Sequence, residues 1–535
     1  MREAVLTCEE RDFCGPDFSS ESGGFVAAPI NLTCTSLAGR TTRKTVRPTY
    51  LVSGLVSRAP VARRWWLLLA RVMLKSDDTI DRADLRASRS GLVAALAPRR
   101  WRHRFFAGGF STNVIFMLAG TALGQAASVL LSPALARIYT PGEFGYLSVY
   151  TAALTILGVI AALGFELAIP IAASETELAN LVATSVGALA GVTGVLSLFM
   201  WLAPDRLLTQ WWLGPLTSHR YLLPIGFACV GGYYVMVAAA TRISAFREIA
   251  WTRISQGLSG PISQIALGLL GAGAPGLAIG FIIGQSSGTF LLFSRVILKS
   301  ASLRMAMSWR GVKDVVRRYA RFPLFASWSR IIDMAGSGPV LFLIFSACYS
   351  SEIAGYMFLT ERVIARPLLI VSTSLLQVFT GEAGQAVQTD PARLKRRFRQ
   401  VVPRQLLLAA SWILVANLAA GWVFPVLFGH QWAAAIPYLR ALSLAYLAQA
   451  VLHPVSTSLQ IMERQALAAA WPTGRLVLVV ATVIAAWRTG LPAVTALWLA
   501  SLAQLVACGI MLLLISWSIG QIERQWAARS VAGGE

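Results

Sequence analysis

The chain has 535 residues, 56% of them hydrophobic and only 13% charged, with a mean hydropathy of +0.61. A soluble domain carries about 25% charged residues, so the composition excludes an ordinary soluble protein and points to a polytopic helical membrane protein. The net charge of +22 does not indicate nucleic acid: most basic residues sit in short connections between apolar runs, as on the cytoplasmic side of membrane proteins.

Residues 1–98 differ from the rest. The start has acids and no apolar core, so it is not a secretory signal. Between Ser36 and Arg104 there are 16 Lys and Arg against four Asp. The apolar run 65–74 is too short to span and suits an interfacial helix at most. The segment reads as a disordered basic extension or as sequence upstream of the true start.

From Arg99 the apolar runs begin. Twelve spans are expected, at about 112–136, 144–168, 178–202, 221–242, 254–272, 276–297, 323–347, 354–381, 404–427, 433–459, 466–486 and 492–517. The connections alternate. One side holds 242–253, 298–321 with seven basic residues and 389–404 with six; the other holds short, nearly uncharged turns. The positive-inside rule places both termini in the cytoplasm. The six cysteines (Cys8, Cys14, Cys34, Cys229, Cys348 and Cys508) form no C-x-x-C pair, so neither metal nor redox chemistry nor any cofactor is expected.

Residues 129–156 can be laid on 339–366 at an offset of 210. Tyr139 then meets Tyr349, Gly145 meets Gly355 and Tyr146 meets Tyr356. Each copy is a span, a tight turn and a return span. The halves read as parallel repeats, 99–297 and 322–520, joined by the basic linker 298–321 and followed by a tail at 521–535. Gly276, Gly280, Gly284 and Gly288 recur every four residues, which suits close helix packing.

The stretch 321–382 concentrates charge where hydrocarbon is expected. Its two apolar segments carry Arg330, Asp333, Glu361, Arg362 and Arg366. A charge at the bilayer centre costs about 2.5–3.5 kcal/mol on the insertion scale, so such residues face a partner or a wet cavity. Arg362 and Arg366 are four apart and share a helix face; Arg330 and Asp333 are three apart and share another. Asp333 and Arg366 reach similar depths and form a candidate pair. These charges either line a cavity or tie the two spans together. Arg475 and Arg440 also fall inside spans, whereas Arg137, Arg242 and Arg253 fall at span ends, where snorkelling accounts for them. Glu166, near the inner end of the second span, is a candidate for ion coupling.

The segments 120–152, 318–333, 359–383 and 427–447 resemble, in order and spacing, successive hairpins and spans of the bacterial polysaccharide flippases. These are the O-antigen and exopolysaccharide exporters of the multidrug/oligosaccharidyl-lipid/polysaccharide exporter superfamily. The resemblance covers about 105–520. It implies two pseudo-symmetric six-helix lobes around a central cavity that opens alternately to each side of the inner membrane. It further implies transport of an undecaprenyl-pyrophosphate-linked oligosaccharide for cell-surface polysaccharide synthesis. The partners would be that lipid-linked oligosaccharide, membrane lipids, a proton or sodium counter-ion and the polysaccharide polymerase machinery, with no nucleic acid. Arg330, Asp333, Glu361, Arg362, Arg366 and Arg475 are then the candidate substrate contacts, because the planar arginine fork suits phosphate oxygens. A cationic-drug exporter of the same superfamily is the second reading. A membrane polymerase or glycosyltransferase is the third, disfavoured because no outer loop carries a paired-carboxylate motif, a nucleophile–base set or a nucleotide-binding loop.

Overall fold

A bilayer offers no water to an exposed N–H or C=O group, so apolar runs of this length fold as helices that satisfy their own backbone. The computed structural model describes residues 109–298, 305–320, 330 and 338–532, and the described residues are almost entirely helical, with no strand among them. Residues 1–98, the rest of the seventh span's first half and Asp333 lie outside the described residues.

In chain order the helices are α1 (Gly109–Leu130), α2 (Ser132–Ile138), α3 (Pro141–Gly158), α4 (Glu175–Leu202), α5 (Leu222–Arg242), α6 (Phe246–Leu269), α7 (Gly273–Leu292) and α8 (Trp309–Arg318). They continue with α9 (Pro339–Cys348), α10 (Ser351–Thr360), α11 (Arg366–Thr389), α12 (Pro391–Val423), α13 (Ile436–Leu452), α14 (Gln465–Arg488) and α15 (Ala493–Ala532). Nine helical segments among the described residues are long and apolar enough to cross a membrane. Of the other expected spans, the second is the 18-residue α3, the fifth is α6 with Arg247, Glu248 and Arg253 in its first half, and the seventh is described mainly as α9. Large apolar side chains such as Val195, Trp201, Leu418 and Leu513 stand 70–77% exposed, as hydrocarbon-facing residues do.

Local signals start the helices. Thr140 caps α3 in a capping box with Glu143, and Pro141 follows at the first helical position. Ser174 caps α4, Ser350 caps α10 and Asp390 caps α12. The basic stretch 389–404, expected as a loop, is the start of α12, because the Asp390 cap and Pro391 launch a helix that runs without interruption into the ninth span. The linker likewise contains α8, capped by Ser308. The last helix continues to Ala532.

The glycine ladder of α7 lies on α6. A Cβ at Gly280 would stand 2.4 Å from Gln264, one at Gly284 3.0 Å from the Gly260 Cα, and one at Gly288 2.5 Å from Gln256. α1 crosses α6 as closely: a Cβ at Gly124 would lie 2.2 Å from the Arg253 carbonyl oxygen. Small residues here let backbones approach where lipid gives no hydrophobic drive for association.

The two hairpins aligned at the 210-residue offset meet where α3 crosses α10. A Cβ at Gly145 would lie 1.8 Å from the Ser351 carbonyl oxygen, and one at Gly355 would lie 1.9 Å from the Pro141 carbonyl oxygen. Pro141 and Ser351 are themselves 210 residues apart, so each glycine meets the start of the helix that carries the other. The Ser351 hydroxyl donates to the Gly142 carbonyl at 3.2 Å. Around this crossing lies the largest apolar core, drawn from both halves, with Phe144 edge-on to Trp432 at 4.9 Å and to Phe358 at 6.4 Å. Two further cores are separate. One uses only residues 162–319 and their neighbours in the first half, the other only residues 379–519 and theirs in the second.

Candidate functional site

Pro367 shapes the first half of the site. It has no N–H to give back to the preceding turn, and its ring crowds the carbonyl four residues earlier. The chain answers with a π turn at Glu361–Ala365, where the Arg366 N–H donates to the Glu361 carbonyl, five residues back. Such wide turns inside α-helices frequently occur at functional sites. In a regular α-helix, residues five apart point about 140° away from each other. The wide turn closes that gap, and the Arg366 Nε stands 3.4 Å from Glu361 Oε1.

Arg366 therefore has Glu361 as an ion-pair partner on its own helix. The pairing with Asp333 expected from depth alone involves a residue outside the described structure. Arg362 shares this cluster, within electrostatic reach of both Arg366 and Glu361. Its guanidinium lies over the Phe358 ring at 5.3 Å, and its Nη1 is buried without a hydrogen-bond partner. Tyr446 on α13 is within electrostatic reach of both Glu361 and Arg366. Among the described residues the cluster holds two arginines and one carboxylate, a net positive charge.

The second half of the site joins residues 164 positions apart in the chain. Arg330 pairs with Glu166 at 2.8 Å, and Glu166 is 7% exposed with Oε2 buried and unpartnered. Glu166 is held there by the irregular chain after α3: Gly164, at φ 79°, turns the backbone into the short 3-10 segment Phe165–Leu167. Arg253 lies nearby. It sits seven residues into α6, over the Tyr233 ring at 5.1 Å, and Tyr234 is within electrostatic reach of Arg253, Arg330 and Glu166. Sequence reasoning placed Arg253 at a span end because α6 was expected to start at 254; the helix starts at Phe246, so the residue stands two turns in.

Arg475 is 9% exposed, over the Trp471 ring at 4.6 Å and within electrostatic reach of Cys508. It packs between α14 and α15. Arg137 was also expected only to snorkel. Its guanidinium instead donates to the Val426 and Leu427 carbonyls at 2.6 and 3.1 Å, in the π turn Phe424–Phe428 of the other half. Gln431 and Trp432 return hydrogen bonds to the Ala136 carbonyl at 2.9 and 2.7 Å. No cluster of His, Cys, Asp and Glu suited to a metal occurs among the described residues.

An all-helical, multi-pass bundle with charges inside its spans marks a polytopic membrane protein with a polar interior. Solved structures share that fold. An inward-facing multidrug resistance MATE family transporter of the MOP superfamily is 13% identical, with a TM-score of 0.56, and covers 76% of this chain and 96% of its own. The lipid II flippase MurJ, in an inward closed conformation, is 11% identical, with a TM-score of 0.62, and covers 76% and 90%. The family is more particular: residues 134–437 match the polysaccharide biosynthesis protein family, and the chain belongs to it. The teichuronic acid biosynthesis protein TuaB of Bacillus subtilis (strain 168) is 23% identical over 240 residues. That match spans 43% of this chain and about half, 46%, of TuaB. The family match bears out the polysaccharide-biosynthesis part of the resemblance, and the solved structures share the fold it implied.

Proposed function

We propose that the protein moves an undecaprenyl-pyrophosphate-linked oligosaccharide across the bacterial inner membrane by alternating access between two six-helix lobes. The pyrophosphate carries negative charge into a passage where water is scarce, and cations must replace its hydration. Arg362 carries the proposal: it is an arginine inside a span with a buried nitrogen that lacks a partner, beside the Glu361–Arg366 pair. A phosphate oxygen would complete its hydrogen bonds, and a charge-assisted bond is about twice as strong as a neutral one. Family membership and the flippase fold support the same reading, and both termini would lie in the cytoplasm.

The two repeats would be shut against each other at the α3–α10 crossing on the outer side and part at the inner side, where their cores are separate. The Arg330–Glu166 bridge would then sit at the inner mouth. Its opening would free a buried carboxylate for a proton or sodium ion, the coupling role proposed for Glu166. A cationic-drug exporter suits the site less, because Glu166 and Glu361 each already face an arginine. In a strain lacking this protein, lipid-linked glycan should accumulate on the inner leaflet and surface polymer should fall. The wild-type gene should restore export and Arg362→Ala should not. Full export by Arg362→Ala at normal membrane abundance would refute the assignment.

A further inference from the structure

The linker helix α8 carries a surface that the transport reading leaves unused. At 100° per residue its side chains fall into three stripes. One stripe faces the protein: Val315 is buried, and a Cβ at Gly311 would stand 2.4 Å from Asn180 Nδ2. Next to it come Trp309 and Val316, 74% and 41% exposed. Beyond them lie Lys313, Arg317 and Arg310. Met305 and Met307, just before the helix, are also exposed. Lys313 leans over the Trp309 ring at 5.7 Å. Arg318 pairs with Glu177 at 2.9 Å, whereas Arg310, Lys313 and Arg317 form no ion pair among the described residues; Asp314 lies at the far edge of their stripe, which keeps a net positive charge.

The height of this helix follows from its anchors. The Ser308 N–H donates to Asn180 Oδ1 at 2.9 Å, and Tyr319 donates to Glu177 Oε1 at 3.0 Å. Glu177 and Asn180 lie in the first two turns of the 28-residue α4. A helix of that length is about 42 Å long, whereas the hydrocarbon core is about 30 Å thick. Its first turn carries Glu175 and Glu177, so this end takes the excess length among the headgroups, and α8 is tied to it. An exposed tryptophan and valine beside three unpaired cations at headgroup depth is the pattern of an interfacial amphipathic helix.

We propose that the Trp309–Val316 and Arg310–Lys313–Arg317 stripes dock α8 onto anionic phospholipid headgroups of the adjacent leaflet. The lipid is a ligand of the linker, independent of whatever the bundle transports. The apolar stripe enters the headgroup boundary, and the three cations bind lipid phosphates there. Because α8 joins the two repeats, this contact would fix the linker against the first repeat.

Hydrogen–deuterium exchange of the full-length protein in nanodiscs tests this. Two lipid compositions are compared: pure phosphatidylcholine, and phosphatidylcholine mixed with phosphatidylglycerol. Each basic residue near an anionic surface contributes about fivefold, and three give about a hundredfold. Amides of 305–320 should exchange at least about tenfold more slowly in the anionic discs, with α10 unchanged as an internal reference. The wild-type comparison needs no variant. R310Q/K313Q/R317Q should abolish the difference while α10 keeps its protection. Adding inorganic phosphate to phosphatidylcholine discs should not reproduce the effect. Equal exchange in both discs, or equal protection by free phosphate, would overturn the proposal.

Discussion

Replacing Gly145 or Gly355 by alanine perturbs the crossing that holds the repeats together. The added Cβ would stand 1.8 or 1.9 Å from a carbonyl oxygen of the other repeat. Ordinary contact begins near 3.4 Å, so the helices must part by roughly 1.6 Å. In both cases the clashing atom is backbone and cannot swing aside. Overpacking costs about 1–3 kcal/mol, and these sites belong at the upper end. About 3 kcal/mol is a factor of more than a hundred in an equilibrium. Each substitution should shift the population away from the state in which α3 and α10 touch. Spin labels at Ala134 and Glu352, both exposed, report the distance in a background without native cysteines. Double electron–electron resonance should show a longer distance distribution for both variants. Gly187→Ala, where nothing lies within 4 Å of the new Cβ, should leave it unchanged. Wild-type distributions in both Gly145→Ala and Gly355→Ala would refute the reasoning.

Three other outcomes are expected. Trp432→Ala removes a fully buried ring and its hydrogen bond to the Ala136 carbonyl, a loss of about 3–5 kcal/mol, so the apparent unfolding temperature in detergent should fall by several degrees. Reporter fusions after Lys299 and after Asp390 should report cytoplasm and one near Thr217 the outside; a cytoplasmic signal at Thr217 would invert the topology. Arg253→Ala should reduce glycan export several-fold at unchanged abundance, with Arg253→Lys in between, whereas a purely snorkelling residue would tolerate both changes.

The close approach at Gly145 and Gly355 could be suspected from sequence because the two glycines recur at the same point of similar hairpins, and the structure presses each against the other's helix. The α7 ladder was legible for the same reason, since four-residue spacing marks one helix face. The pairing of Arg366 was not. A regular helix keeps residues 361 and 366 apart, and only the π turn before Pro367 joins them. That signal was present as an Arg-Pro step inside an apolar run, but a 3.6-residue period hides it. Arg137 could not be read from its own surroundings, because the carbonyls it serves lie 289 and 290 residues away. The two helical turns before Arg253 were hidden by the charges at the start of α6. Glu166 was singled out by its depth, but its pairing with Arg330 comes from tertiary packing between distant parts of the chain.

The central claim is tested most directly by translocation in proteoliposomes. A fluorescent undecaprenyl-pyrophosphate oligosaccharide is placed in both leaflets, and a membrane-impermeant quencher reads the outer one. A hydrogen bond to a charged group contributes about 1.5–3 kcal/mol, roughly tenfold or more in affinity. Wild-type protein should expose the protected fraction; Arg366→Ala should be at least about tenfold slower and Arg366→Lys intermediate. Glu361→Ala combined with Arg366→Ala should remain as slow as Arg366→Ala alone. No acceleration over protein-free liposomes, or a double variant restored to the wild-type rate, would contradict the account and leave Glu361 and Arg366 as a structural ion pair.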